Sequence, residues 1–286
     1  MSDSPERQET APRDERQTGE YRPTTHVPGA EHLPRVLTWR TAANSAAYLL
    51  PHLRPGLRLV DVMCGPGTIT VDLARRLSPG EVLGVDSSPA RVAEAAGLAV
   101  DEGVRNARFA VGDASSLAIP DASVDIVHAH QVLQHLADPV AALREMRRVL
   151  KPGGILAARD ACYDGVAWYP RLPGLATWSR VYRSVHRFSG GSPDAGAALK
   201  AWAHEAGFRA VTSSASIWCF ASPAEREWWG RSWAERVTEP GFAVLAIESG
   251  AARLADLHDI SAAWRQWADD PDAWFGMPHG EIIAVR

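Results

Sequence analysis

From residue 57 to residue 160 the chain alternates between two hydrophobic rhythms. Short apolar runs have the length and composition of buried strands: LRLVDV (57–62), EVLGVD (81–86), ARFAVGD (107–113), VDIVHAH (124–130) and ILAARD (155–160). Between them, apolar residues return every three or four positions. TITVDLARRL (68–77) begins at two glycines, and SPARVAEAAGLAVDEG (88–103) has Pro89 in its first turn. DPVAALREMRRVLKPGG (138–154) is stopped by Pro152 and Gly153, with Lys151 in its last turn. Short apolar strands separated by helices predict a parallel sheet covered on both faces. A further helix is predicted upstream over RTAANSAAYLLPHL (40–53), limited by Pro51.

The rhythm changes after residue 160. Residues 161–191 carry scattered aromatics without a clean strand. SPDAGAALKAWAHEAGF (192–208) returns to a helix, and RAVTSSASIWCF (209–220) to a strand. About sixty residues of Trp-rich helix precede a last strand, GEIIAVR (280–286). The pattern predicts one domain over 31–286, with a core of 55–160, 192–220 and 280–286. Helical insertions at about 161–191 and 221–279 form a C-terminal cap. Residues 1–30 are polar and rich in breakers, and are expected to be disordered.

Composition narrows the function. A net charge of −4, with 28 of the 30 basic residues being arginines scattered among acids, gives no footprint for nucleic acid or an anionic membrane. No apolar run approaches the roughly 18 residues of a membrane helix, and the first residues have no apolar signal region. Three cysteines, far apart and in no CxxC pair, fit free thiols in a reducing cytoplasm.

The chemistry concentrates in LVDVMCGPGTITVDLA (59–74). In an open parallel sheet, ligands bind at the carboxyl ends of the strands. There Gly65 and Gly67 let the backbone approach a ligand closely, although a tight turn needs the same residues. Asp86 ends the second strand nineteen residues beyond Gly67, placed for both hydroxyls of a ribose or for an N-cap. Asp113 ends the third, placed for an adenine amino group or for a turn. A dinucleotide site needs a third glycine where Thr70 stands, and Asp61 beside the turn would repel a phosphate. An acid there suits an ammonium group instead. Adenine, ribose and an amino-acid tail together describe S-adenosylmethionine.

These segments, with VLGVDSSP, VGDASSLAIPDASVDIVHAHQVLQHLADP and LREMRRVLKPGG, resemble the class I S-adenosylmethionine-dependent methyltransferases. The likeness is continuous over about residues 55–160 and is greatest to the branch typified by the ubiquinone/menaquinone-biosynthesis methyltransferases. It implies a Rossmann-like α/β sheet. It also implies that Asp61, Gly65 and Gly67 surround the methionine portion of the cofactor, that Asp86 and Ser87 meet the ribose, and that Asp113 and Ala114 meet the adenine. Ala129, His130 and Gln131 would line the reactive sulfonium. The departure is Met63, where the family usually has a glycine: its side chain either crowds the cofactor or leaves the backbone path unchanged. Arg40 is expected near the cofactor's carboxylate from its position alone, with Trp39 folding over it.

Methyl transfer needs the nucleophile placed at the methyl carbon, and a base only if the acceptor must lose a proton. His128 and His130 share a strand face, and His135 follows them. His135 matches a histidine frequent in relatives and is the candidate base or orienter, with helix packing as the alternative. Asp160 and Tyr163 are within reach of an acceptor after the fifth strand. The histidines lack the supporting ligands of a metal site, so no metal is expected. Ten of the eleven tryptophans begin at Trp168. Helices EREWWGRSWAERV and ISAAWRQWADDPDAWFG are candidates for a lid over a hydrophobic or aromatic acceptor, or for the insertions' own core. The expected partner is therefore a small-molecule acceptor, with a homodimer through the cap also considered. Two rival readings remain: a degenerate fold acting as a binding module, and an NAD-dependent oxidoreductase.

Overall fold

The computed structural model describes residues 39–286; the expectation for residues 1–30 lies outside them. Five parallel strands form in the predicted order: β1 (Leu59–Val62), β2 (Val82–Asp86), β3 (Ala107–Val111), β4 (Val124–His130) and β5 (Leu150–Ala161). They lie β3-β2-β1-β4-β5 across the sheet. The antiparallel β8 (Trp274–Val285) follows β5, and β7 (Ala210–Phe220) pairs with its other edge. A short strand, β6 (Ala167–Tyr169), extends the β5 side of β8 at residues 274–276.

The helices are α1 (Ala42–Ser45), α2 (Thr68–Leu77), α3 (Pro89–Asp101), α4 (Pro139–Val149), α5 (Pro173–Phe188), α6 (Ala195–Glu205), α7 (Pro223–Arg236), α8 (Pro240–Glu248) and α9 (Leu254–Asp269). Alternation along the strands divides the interior. Leu59, Ile126 and Ala157 pack with α1, α2 and α3, whereas Val60, Val127 and Leu156 pack with α4 and α6. A third core fills the cap. In it Trp178 of α5 meets Trp233 of α7 and Trp264 of α9 at ring centroid distances of 4.8 and 4.9 Å. No helix among the described residues is long and apolar enough to cross a membrane.

Three expectations are corrected. The helix over 40–53 shrinks to the four residues of α1 and a 3₁₀ turn at Leu50–His52. The Asn44 amide donates to the Trp39 carbonyl and Ser45 Oγ to Asn44 Oδ1, while Pro51 donates nothing, so local bonds displace the helical ladder. Lys151 is not in the last turn of a helix: α4 ends at Val149, and Lys151 lies in β5 with Nζ 2.7 Å from Asp125 Oδ1. The final strand begins at Trp274, not residue 280, because α9 stops at Asp269 and the chain turns through Asp270 and Pro271.

Gly67 explains how α2 sits so near the sheet. Its φ is +82°, and a Cβ built there would stand 2.7 Å from Ala95 Cβ and 3.1 Å from Phe109 Cε1. Only glycine combines that conformation with that approach of α2 to α3 and β3.

Candidate active site

The sheet register builds a polar row at the carboxyl ends of the strands. Asp61 lies opposite His128 across β1 and β4, and His128 Nδ1 is 2.7 Å from Asp61 Oδ1. The other carboxylate oxygen accepts from Thr70 Oγ1 at 2.5 Å, which gives the residue in the third-glycine position a structural role. Further across, His130 faces Arg159 of β5, and Arg159 faces Glu281 of β8. Arg159 Nε donates to Ser216 Oγ and to Glu281 Oε1, and its guanidinium stacks 4.8 Å from the Trp218 ring. Burial draws the Arg159 pKa down to about 10.

One cavity opens over this row. Its first end is formed by the loop after β1 and the end of β2, with Asp61, Met63, Gly65, Asp86 and Ser87 exposed to it. Asp86 accepts the Gly65 N–H on one oxygen and the Ser88 N–H on the other, both at 2.9 Å, so its carboxylate is aimed by the glycine loop itself. A Cβ built on Gly65 would meet nothing within 4 Å. The second end is aromatic: Tyr163, Tyr182, Trp218, Trp229 and Trp233 line it. His130, Gln131, His135 and Arg40 stand between the two ends.

The connecting residues form a chain of bonds. Arg40 Nη2 donates to Gln131 Oε1 at 2.5 Å. Gln131 Nε2 then donates to His279 Nε2 at 2.9 Å, because His279 Nδ1–H is committed to the Met277 carbonyl. Burial lowers the Arg40 pKa to about 10. His130 is buried, and neither ring nitrogen has a partner among the described residues. His135 Nε2 accepts from Gln134 Nε2 at 3.1 Å, and its ring stacks 5.2 Å from that of His186. Burial holds both His130 and His135 well below the ordinary histidine value, helped by Arg40 and Arg159 at His130 and by His186 and Arg236 at His135. Asp160 does not line the cavity: it is fully buried, accepts the Gln134 N–H, and burial raises its carboxyl to about 7.

Of the residues singled out from the sequence, Arg40, Asp61, Met63, Gly65, Asp86, Ser87, His130, Gln131, His135 and Tyr163 converge on this cavity. Gly67 stands behind it, against Ala95 and Phe109. Asp113 and Ala114 are not among its lining residues: Asp113 follows Gly112, whose N–H donates to the Asp86 carbonyl at 3.0 Å, Asp113 Oδ1 accepts the Ser115 N–H at 2.6 Å, and Ala114 is buried in the core. The sequence reading missed Gln134, Tyr182, Trp218 and Met277. It also missed Arg236, although Trp229, Trp233 and Arg236 are spaced by four and three residues and so share a helix face.

Met63 and Gln131 follow adjacent strands, and both have left-handed backbones, with φ of +52° and +54°. Met63 therefore takes the path a glycine would take, with its side chain half-buried against the core. Relief of the left-handed strain in Met63→Gly, about 1 kcal/mol, opposes the loss of a partly buried side chain, also about 1 kcal/mol. We expect the urea midpoint to move little and S-adenosylmethionine affinity to stay within tenfold. A larger gain in affinity would mean that the side chain obstructs the site.

An open sheet that carries a glycine loop, an aimed carboxylate at the end of β2 and a cavity above the strand ends defines an enzyme that binds a nucleoside-containing cofactor. Residues 53–207 match the family model described as a methyltransferase domain. An uncharacterised methyltransferase of Schizosaccharomyces pombe is 35% identical over 256 residues, covering 86% of this chain and 90% of its own. A demethylmenaquinone methyltransferase of Listeria monocytogenes is 31% identical over 140 residues, 49% of this chain and 55% of its own. The YcgJ protein of Bacillus subtilis shares the fold at a TM-score of 0.56 and 19% identity, over 84% of this chain and 97% of that structure. The chain belongs to the class I S-adenosylmethionine-dependent methyltransferases, and S-adenosylmethionine is its cofactor. The donor set fits that group, with a carboxylate for hydroxyls, an arginine for a carboxylate and open space at Gly65.

Proposed function

We propose that this enzyme methylates a small planar aromatic molecule seated at the aromatic end of the cavity. S-adenosylmethionine supplies an electrophilic methyl group on a sulfonium. Asp86 and Ser87 would hold its ribose, Arg40 its carboxylate, and the loop around Asp61 and Gly65 its amino-acid portion. The observation that carries the acceptor class is the set of five rings, Tyr163, Tyr182, Trp218, Trp229 and Trp233, lining one cavity beside His130 and His135. Rings at that density favour a flat apolar body over a flexible polar chain.

His135 serves as orienter better than as base in this reading, because its Nε2 lone pair is already taken by Gln134. His130 has both nitrogens open and, held neutral, can receive a proton from an acceptor. The test is transfer of labelled methyl from S-adenosylmethionine to matched panels of hydroxynaphthalenes and of linear aliphatic alcohols and amines. Products from the aromatic panel alone are expected. Turnover of the aliphatic panel alone would overturn the acceptor class while leaving the methyltransferase intact.

A further inference from the structure

The arginines at the cavity differ in how fully they are committed. Arg91 pairs with Glu94 at 2.7 Å, and Arg40 donates to Gln131. The guanidinium of Arg236, the last residue of α7, makes neither a hydrogen bond nor an ion pair among the described residues, while the backbone carbonyl accepts the Glu239 N–H. Its guanidinium is instead held flat by aromatic rings, 4.9 Å from the centroid of Trp233 and 5.6 Å from that of Tyr182. Stacking of this kind fixes the plane of the group and leaves its N–H edge unused. Both rings belong to the aromatic end of the cavity, as does Arg236 itself.

Charged side chains of both signs line the cavity. Asp61 and Asp86 stand at the first end and Arg236 at the second, with Arg40 and the neutral His130 and His135 between them. An oriented guanidinium with free donors, set in a wall of rings, matches a carboxylate on a flat body, because the fork of N–H groups takes two oxygens in one plane. Glu235 and Glu239 also line this end, and their charge disfavours more than one anionic group on the ligand.

We infer that Arg236 is a specificity residue for the acceptor, and that the acceptor is a planar aromatic monocarboxylate whose acid group binds the Arg236 guanidinium. The inference rests on the reading that the aromatic end of the cavity takes the methyl acceptor. Its test is calorimetric titration of the S-adenosylhomocysteine-saturated enzyme with 2-naphthoate and with its neutral amide, 2-naphthamide. Wild type is expected to bind the acid at least about tenfold more tightly, the weight of a charge-assisted hydrogen bond. Arg236→Gln should bring the two to parity, and Arg236→Lys should keep part of the preference. S-adenosylhomocysteine affinity, measured in each variant, reports that the fold is intact, and the wild-type comparison stands whether or not a variant folds. Equal binding of both probes by wild type, or a preference that survives in Arg236→Gln, overturns the inference and spares the aromatic reading. Binding of neither probe brings down the aromatic reading and the inference with it.

Discussion

Replacing Asp86 by alanine should lower the affinity for S-adenosylmethionine by about a hundredfold or more. The carboxylate has two tasks, and the substitution removes both. It is aimed into the cavity, where hydrogen bonds to a charged acceptor contribute about 1.5–3 kcal/mol each. It also accepts from Gly65 and Ser88, so alanine leaves the glycine loop without the group that ties it to the end of β2. Asp86→Asn keeps the shape and one acceptor oxygen and should fall between alanine and wild type. Calorimetry with S-adenosylhomocysteine reads both variants without an acceptor. Binding in Asp86→Ala within threefold of wild type would remove Asp86 from the site.

The second large effect is on stability below neutral pH. His130, His135, His186 and His279 are all buried, and burial depresses all four, His186 to about 4. In the unfolded chain they titrate near 6.5. Below that pH the unfolded state binds protons that the folded state refuses, so stability present above 6.5 is lost as the pH falls toward the folded values. Each histidine then contributes a loss on the order of 1 kcal/mol between pH 7 and 5.5. Asp160 acts in the opposite direction. Its raised value of about 7 means that the folded state gains a proton first, which offsets part of that loss over the same range. The net expectation is a loss of a few kcal/mol between pH 7 and 5.5. Urea midpoints across this range measure it, and a flat profile would show that these imidazoles charge without unfolding.

The strand ends were legible because each β-α unit announces itself twice, by an apolar run and by the break that follows it. VDIVHAH and TITVDLARRL have the bounds expected of β4 and α2. The N-terminal helix was misread because alanine and leucine content reports propensity, whereas Asn44 and Ser45 compete locally for the backbone. Asp61 and Asp86 were found through spacing from the glycine turn. Asp113 has the same placement at a strand end, with Oδ1 accepting the Ser115 N–H in its own turn, and spacing alone does not distinguish a turn-former from a ligand. The aromatic end of the cavity was harder to foresee. Tyr182, Trp218 and Trp233 come from α5, β7 and α7, and only the closed cap brings them together.

The cap grows from two separate places in the chain, yet it has one interior. Trp178 and Tyr182 arrive with the first insertion, and Trp233 and Trp264 with the second; each of these rings contacts a ring of the other set. Residues in such direct contact do not change independently. Exchange of either insertion alone between two relatives would leave mismatched rings in a shared interior, while the strands beneath it kept their register. The two segments are therefore coupled, with substitutions in one conditioning which substitutions the other tolerates.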